Sequence, residues 1–335
     1  MYAVRLHAFG PPENLTYQRT ETPVPGPGQV RIAVAAAGVH LVDTALRQGV
    51  TPGGVWRPVE LPTIPGREVA GTVESLGEGV DPGWLGQRVS AHLGMAPGGY
   101  AERAVTDVSR LHRLPDHLPE SHAVAVLGTG RMTMGLLRFA TVEPGDTVLV
   151  LAAAGGIGSL LVQYAKHRGA TVVGAAGGPA KVEVVRRLGA DLAVDYDRPD
   201  WADTVRAALG DRPARHLFEG VGGERAHAAI RLLAPGGGQV AYGNASLGLA
   251  GGDLATPSPA ELAALGITSQ VALGPALFER IGGPEGLAEL EDEALRLAAD
   301  GVLTPLIRPF PLAEAAAAHR ALESRATVGK VVLLP

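Results

Sequence analysis

Residues 147–166 read TVLVLAAAGGIGSLLVQYAK: an apolar β-branched run, a cluster of small residues, then an amphipathic stretch. The small residues follow the pattern Ala153-x-Gly155-x-x-Gly158, an Ala-for-Gly form of the dinucleotide fingerprint. A strand before it and a helix after it are the context the pattern requires. Gly155 lets a backbone approach a pyrophosphate, Gly158 lets the helix pack closely on the strand, and Gly156 and Ile157 lie between them. The helix N-terminus would turn unpaired N–H groups and the positive end of its dipole toward phosphate. An ordinary tight strand–helix turn is the competing reading, and the flanking rhythm decides between the two.

That rhythm is regular. Apolar runs begin near Val148, Thr171, Leu192, His216 and Val240, with the helical patterns SLLVQYAKHRG, KVEVVRRLG, WADTVRAALG and ERAHAAIRLLAPGG between them. Strands alternating with helices at this spacing predict an α/β fold, a Rossmann doubly wound parallel sheet. Upstream, residues 1–120 read as short strands separated by turns: Val30, Ile32 and Val34 alternate in QVRIAVAAAG, and PGPG and PGRE act as breakers. This predicts a β-rich domain, a distorted barrel. Residues 245–285 read as loop-rich, Gly286–Asp300 as an amphipathic helix, and the chain closes with the helix PLAEAAAAHRALES and the strand KVVLL. The expected division is a β-rich catalytic domain over 1–122, a nucleotide-binding domain over 123–268, and a return to the first domain over 269–335.

Composition narrows the chemistry. With 335 residues the chain is long enough for two cores, and it contains no Cys. Disulfides, Cys-ligated zinc, iron–sulfur clusters and a thiol nucleophile are therefore excluded. A net charge of −5 without long single-sign runs argues against a nucleic-acid partner. The opening MYAVRLHAFGPPENL lacks the basic start and apolar core of a signal peptide, and Val148–Val162 is too short for a membrane span. A soluble, cytoplasmic protein with no membrane partner is expected.

The identity of the dinucleotide is written about 20 residues past the fingerprint. An NAD site places Asp or Glu there; this chain has VVGAAGGPAK, with small residues and then Lys181. A missing acid and an added cation favour a 2′-phosphate, hence NADPH. A solvated lysine opening a helix is the alternative.

AAAGGIGSLLVQYAK, DYDRPDW, FEGVGG, AYGNAS and the ending ALESRATVGKVVLLP resemble the quinone oxidoreductases, the zinc-free branch of the medium-chain dehydrogenase/reductase superfamily. The resemblance continues through IPGREVAGTVESLGEGV and GGYAE, and implies a GroES-like catalytic domain beside the Rossmann domain. It also implies 2′-phosphate contacts from Gly177, Lys181, Tyr196 and Arg325, and nicotinamide-side contacts from Val221, Gly243 and Asn244. A turn residue after Gly243 is the alternative for Asn244. Homodimers are implied as well.

Zinc-dependent relatives place a Cys ligand where this chain has His40 and a His ligand where it has Arg67. Arginine stays protonated and has no lone pair to give a metal. His112, His117 and His122 share no helical face and are interrupted by Pro115 and Pro119. No metal is expected. Hydride would come from NADPH, and the protein would supply preorganised donors to the carbonyl oxygen on which negative charge develops. His40 is the first candidate, since imidazole can donate a hydrogen bond or relay a proton; a packed histidine is the alternative. Arg131 in LGTGRMTM is the second, against a salt-bridged structural arginine. Relatives carry Tyr in a DTYxRxG-like segment where this chain has Ala45, and Asp43 and Arg47 beside it read as structural. The leading expectation is a reductase of quinones or other α,β-unsaturated carbonyls. An enoyl or alkenal reductase of lipid or polyketide chemistry and a non-catalytic NADPH sensor are the alternatives.

Overall fold

The structure is a computed structural model and describes residues 1–51, 59–94, 97–245 and 254–335. It divides into two compact units. Unit 1 comprises Met1–Gly130, Glu291–Gly301 and Pro305–Pro335; unit 2 comprises Arg131–Leu290 and Val302–Thr304.

Unit 1 opens with strands β1 (Tyr2–Leu6), β2 (Leu15–Arg19) and β3 (Gln29–Val39), followed by helix α1 (Leu41–Arg47). Strands β4 (Glu68–Leu76), β5 (Arg88–His92), β6 (Arg103–Asp107) and β7 (Leu111–Arg113) follow, and helix α2 (Glu120–Leu137) carries the chain into unit 2. The alternation of Val30, Ile32 and Val34 is real: all three are buried, each facing one core with Val73, Val89 and Val331. A two-residue period puts one side of the strand inside and the other toward solvent.

Unit 2 alternates as the sequence predicts. Its strands and helices run β8 (Thr147–Leu151), α3 (Gly156–His167), β9 (Thr171–Ala176), α4 (Pro179–Arg187), β10 (Leu192–Asp195) and α5 (Trp201–Leu209). They continue as β11 (Ala214–Glu219), α6 (Gly223–Ile230), β12 (Leu233–Ala241), α7 (Pro259–Leu265), β13 (Thr268–Val271) and α8 (Gly274–Ile281). The six strands form one parallel sheet in the order β10-β9-β8-β11-β12-β13, the doubly wound arrangement whose switch point lies between β8 and β11. Helix α9 (Pro284–Ala299) begins in this unit and ends in unit 1. There β14 (Ile307–Pro311), α10 (Ala315–Glu323) and β15 (Lys330–Leu334) complete the chain. As expected, the last strand rejoins the β-rich unit: β15 runs antiparallel to β3, with Val332 opposite Gly38.

Some expectations shift. The units divide at 130/131 and 290/291, where the sequence reading had 122/123 and 268/269. The reason is that β13 still pairs with the parallel sheet, and α2 runs unbroken through the first boundary. The helix read over ERAHAAIRLLAPGG stops at Ile230. Pro235 cannot extend a helix, and Leu232 and Leu233 are instead buried as the chain turns into β12. The stretch read as loop contains α7, whose start is a capping box: Ser258 Oγ accepts from Glu261 N–H, and Glu261 Oε2 accepts from Ser258 N–H. Part of that stretch, residues 246–253, lies outside the described residues.

Arg47, read as structural, is 2% exposed and pairs with Glu323 of α10. Glu323 also accepts from Gln48 Nε2 at 2.8 Å, so one carboxylate joins α1 to the C-terminal helix. Removing one partner of a buried ion pair strands the other charge, at a cost of about 3–5 kcal/mol. Because Glu323 is partly solvated, we expect the low end of that range for Glu323→Gln. A fall in the thermal midpoint, against an unchanged midpoint for an exposed control such as Glu285→Gln, checks it.

Candidate functional site

Strand β8 ends at Leu151, and Ala152 takes the left-handed conformation, φ 49°. Gly155 then caps α3. A Cβ on Gly158 would overlap the Ala152 carbonyl and stand 2.9 Å from Ala153 Cα, so only glycine admits the helix this close to the strand. Ala153 is fully buried, and its N–H donates to Ala175 O of β9 at 3.0 Å. Packing against the sheet thus fills the place where the fingerprint more often has its first glycine. The first-turn N–H groups of Gly156, Ile157 and Gly158 lack helical partners by geometry, and Lys166 and His167 close the helix at its negative end. The turn offers the cradle and the field that a pyrophosphate needs.

At the end of β9, Gly177 and Gly178 lead into α4, with Lys181 half-buried in its first turn. Tyr196, just past β10, is held by its N–H donating to Ala176 O at 3.1 Å. Gly177, Lys181 and Tyr196 therefore lie at adjacent strand ends. The region does not lack acids, however. Asp195 Oδ1 accepts from Gly178 N–H at 2.9 Å and from Asp197 N–H at 3.0 Å, binding the two loops together. The acids come from β10 and its loop, so a count along β9 could not find them. Arg325 belongs to unit 1, exposed on the turn after α10, with φ 56°.

The loops after β11 and β12 interlock. Tyr242 N–H donates to Glu219 O at 2.8 Å and Ala245 N–H to Gly220 O at 3.0 Å. Val221, Gly243 and Asn244 thus lie on two loops tied to each other. Glu219, which the sequence reading passed over, is fully buried, and its Oε1 accepts from Val221 N–H and, at 2.7 Å, from Gly222 N–H. Burial pushes its carboxyl up against the pull of those two donors. The signal was available: an acid immediately before GVGG can clamp the turn that follows it.

In unit 1, His40 precedes α1, and its N–H donates to Asp43 Oδ2 at 2.9 Å. Its Nε2 lies 2.6 Å from Glu68 Oε2 and 2.9 Å from Lys330 Nζ, and Lys330 Nζ is 3.1 Å from the same carboxylate oxygen. Glu68 is fully buried; burial works to raise its pKa, but His40 and Lys330 hold it well below the ordinary carboxylate range. The space it occupies exists because Gly38 and Gly128 lack side chains: a Cβ on either would collide with the carboxylate. The His40 side chain keeps 25% of its surface exposed, so it is neither free nor fully packed. Arg131 is half-buried on α2, the first residue of unit 2.

Beneath α1 lies a second buried network. Asp43 accepts from Tyr100 OH at 3.0 Å and from Arg67 Nη1 at 3.3 Å, and Tyr100 OH is 3.2 Å from His319 Nε2. Asp43, read as structural, is its hub. Arg67 stands in the position where zinc-dependent relatives have a His ligand, with its guanidinium directed to Asp43. Among the described residues, no group of three or more His, Cys, Asp or Glu side chains is arranged to hold a metal ion. A separate cavity of 310 Å³ in unit 2 is lined by Asp146, His216, Gly238 and Thr268 at the opposite, amino-terminal ends of the strands.

A β-rich unit of this topology, continuous in chain with a doubly wound parallel sheet, is the architecture of the medium-chain dehydrogenases and reductases. Residues 26–116 match the alcohol dehydrogenase GroES-like domain, and residues 156–269 match the zinc-binding dehydrogenase family. The 2-haloacrylate reductase of a Burkholderia species is 33% identical over 99% of this chain and 98% of its own length. The quinone oxidoreductase of Pseudomonas aeruginosa is 33% identical over 99% of both chains. The crystal structure of Escherichia coli quinone oxidoreductase complexed with NADPH superposes with a TM-score of 0.84 at 28% identity, covering 100% of both chains. The chain belongs to the quinone oxidoreductase family of the medium-chain dehydrogenase/reductase superfamily.

Burial depresses the His319 pKa from 6.5 to about 4, with Asp43 opposing and Arg47 assisting. The unfolded chain therefore binds a proton between those values that the folded chain does not, so stability rises with pH across this window and is lost as pH falls from 6.5 toward 4. At about 1.4 kcal/mol per unit the full effect is on the order of 3 kcal/mol. Unfolding midpoints measured from pH 7 to pH 4.5 should fall less steeply for His319→Gln than for the native chain.

Proposed function

We propose that this chain is an NADPH-dependent, zinc-independent reductase of quinones or other α,β-unsaturated carbonyl compounds. The observation that carries the reading is the pairing of two features in unit 2. The N-terminus of α3 is open to a pyrophosphate, and Gly177, Lys181 and Tyr196 are gathered at the neighbouring strand ends. NADPH, when bound, supplies the hydride.

The protein's own groups supply the rest. The N–H groups of Gly156, Ile157 and Gly158 hold the pyrophosphate, with Ala153 and Gly155 shaping the turn. Lys181, Tyr196 and Gly177 hold the 2′-phosphate. Val221, Gly243 and Asn244, on loops clamped by Glu219, form the nicotinamide side. His40 answers the charge that develops on the acceptor's carbonyl oxygen. The 2.6 Å contact of its Nε2 with Glu68 orients the ring. Arg131 is the second donor. The absence of Cys and the presence of Arg67 support chemistry without zinc. Ala45, where relatives carry Tyr, and the 2-haloacrylate reductase among the relatives support including activated alkenes among the acceptors.

The test is NADPH oxidation followed with 1,4-quinones, enones and enoyl thioesters. Turnover on the first two and little on thioesters is expected, whereas turnover confined to thioesters identifies an enoyl reductase. Tight NADPH binding with no turnover on any acceptor identifies a sensor. Lys181→Glu should weaken NADPH far more than NADH, and an equal loss overturns the 2′-phosphate assignment. His40→Ala should lower turnover by roughly 10²-fold; an unchanged rate makes His40 a packing residue.

A further inference from the structure

The loop after β10 carries a carboxylate to the place where the cofactor's 2′ group is expected. A Cβ built on Gly177 would meet Asp197 Oδ2 at 2.7 Å and Tyr196 Cε2 at 3.1 Å, so the carboxylate stands directly against that backbone. Asp195 keeps it there, because one oxygen accepts from both Gly178 N–H and Asp197 N–H. In this fold an acid at the end of the second strand accepts from a ribose 2′-hydroxyl. Asp197 reaches the same place from the third strand. Left alone, it would favour the hydroxyl of NADH and repel the phosphate of NADPH.

It is not left alone. Arg225, in the first turn of α6, places Nη2 2.5 Å from Asp197 Oδ1. Its guanidinium carbon lies 5.0 Å from the centroid of the Tyr196 ring, within cation–π range. One cation is thus oriented by both residues that border Gly177. A guanidinium has five N–H donors, and the Asp197 bond uses one of them.

We infer that the Arg225–Asp197 pair sets the choice between NADPH and NADH. Arg225 neutralises Asp197, removes it as a hydroxyl acceptor and presents its remaining donors to the 2′-phosphate. The inference deepens the NADPH reading above and rests on it. In the sequence, Arg225 lies 44 positions after Lys181, in GGERAH, and no spacing rule connects the two.

The experiment is a titration of the protein with NADPH and with NADH, followed by the fluorescence of the reduced nicotinamide, without any acceptor. The side chains of the pair are 36% and 48% exposed, so solvent screens them, and the effect is moderate. Arg225→Gln should lower the NADPH-over-NADH preference by about tenfold, mostly through weaker NADPH binding. Asp197→Asn alone should leave NADH binding unchanged, whereas added to Arg225→Gln it should weaken NADH and recover much of the lost preference, since no uncompensated carboxylate remains. Arg225→Lys should keep part of the preference. If Arg225→Gln weakens both cofactors equally or changes neither, while the native chain still prefers NADPH, the role of the pair is overturned and the NADPH reading stands. If the native chain binds NADH as tightly as NADPH, both fall.

Discussion

The Ala152 carbonyl and the backbone of α3 meet where a side chain on Gly158 would have to be. Everything functional in unit 2 follows from that close approach. It lets α3 start at the end of β8, so that the helix N-terminus faces outward from the carboxyl edge of the sheet. The same edge collects the loops after β9, β10, β11 and β12. Parallel strands deliver all their following loops to one side, which is why Gly177, Tyr196, Val221 and Asn244, scattered over 68 positions of sequence, share one rim.

Unit 1 is organised by a charge. Glu68 is buried in space vacated by two glycines and held ionised by His40 and Lys330, residues 290 positions apart. A lone carboxylate there would be costly, and the Lys330 ammonium and the His40 ring around one oxygen offset the desolvation. The arrangement orients the imidazole as well, because it engages Nε2. Asp43 fixes the backbone of the same histidine from the other side and links it to Arg67, Tyr100 and His319. The segment around His40 is therefore held both by the Glu68 cluster and by the Asp43 network.

Much of this was legible in the chain. The parallel sheet announced itself through apolar runs at regular intervals, since each βα unit needs nearly the same length to cross the sheet. The β-rich unit showed in the alternation around Val30, and the return of the C-terminal strand was readable from KVVLL after a helix. Helix ends were less legible: the helix read to Gly237 stops at Ile230, where tertiary burial of Leu232 and Leu233 outweighs local helical pattern. The capping box at Ser258 was a local signal that the surrounding glycines and prolines obscured. Glu219 and Arg225 went unnoticed because their partners are set by loop geometry.

The sequence by itself determined the fold class, the dinucleotide turn and the exclusion of thiol and Cys-ligated metal chemistry. These depend on local pattern and on which residue types are present. Only the tertiary structure decided which charges meet. It placed Lys330 and Glu68 at His40 and brought Asp197 to Gly177 with Arg225 opposite. Electrostatic pairing acts through space over a few ångströms, and chain separation carries no record of it until the strands have been ordered.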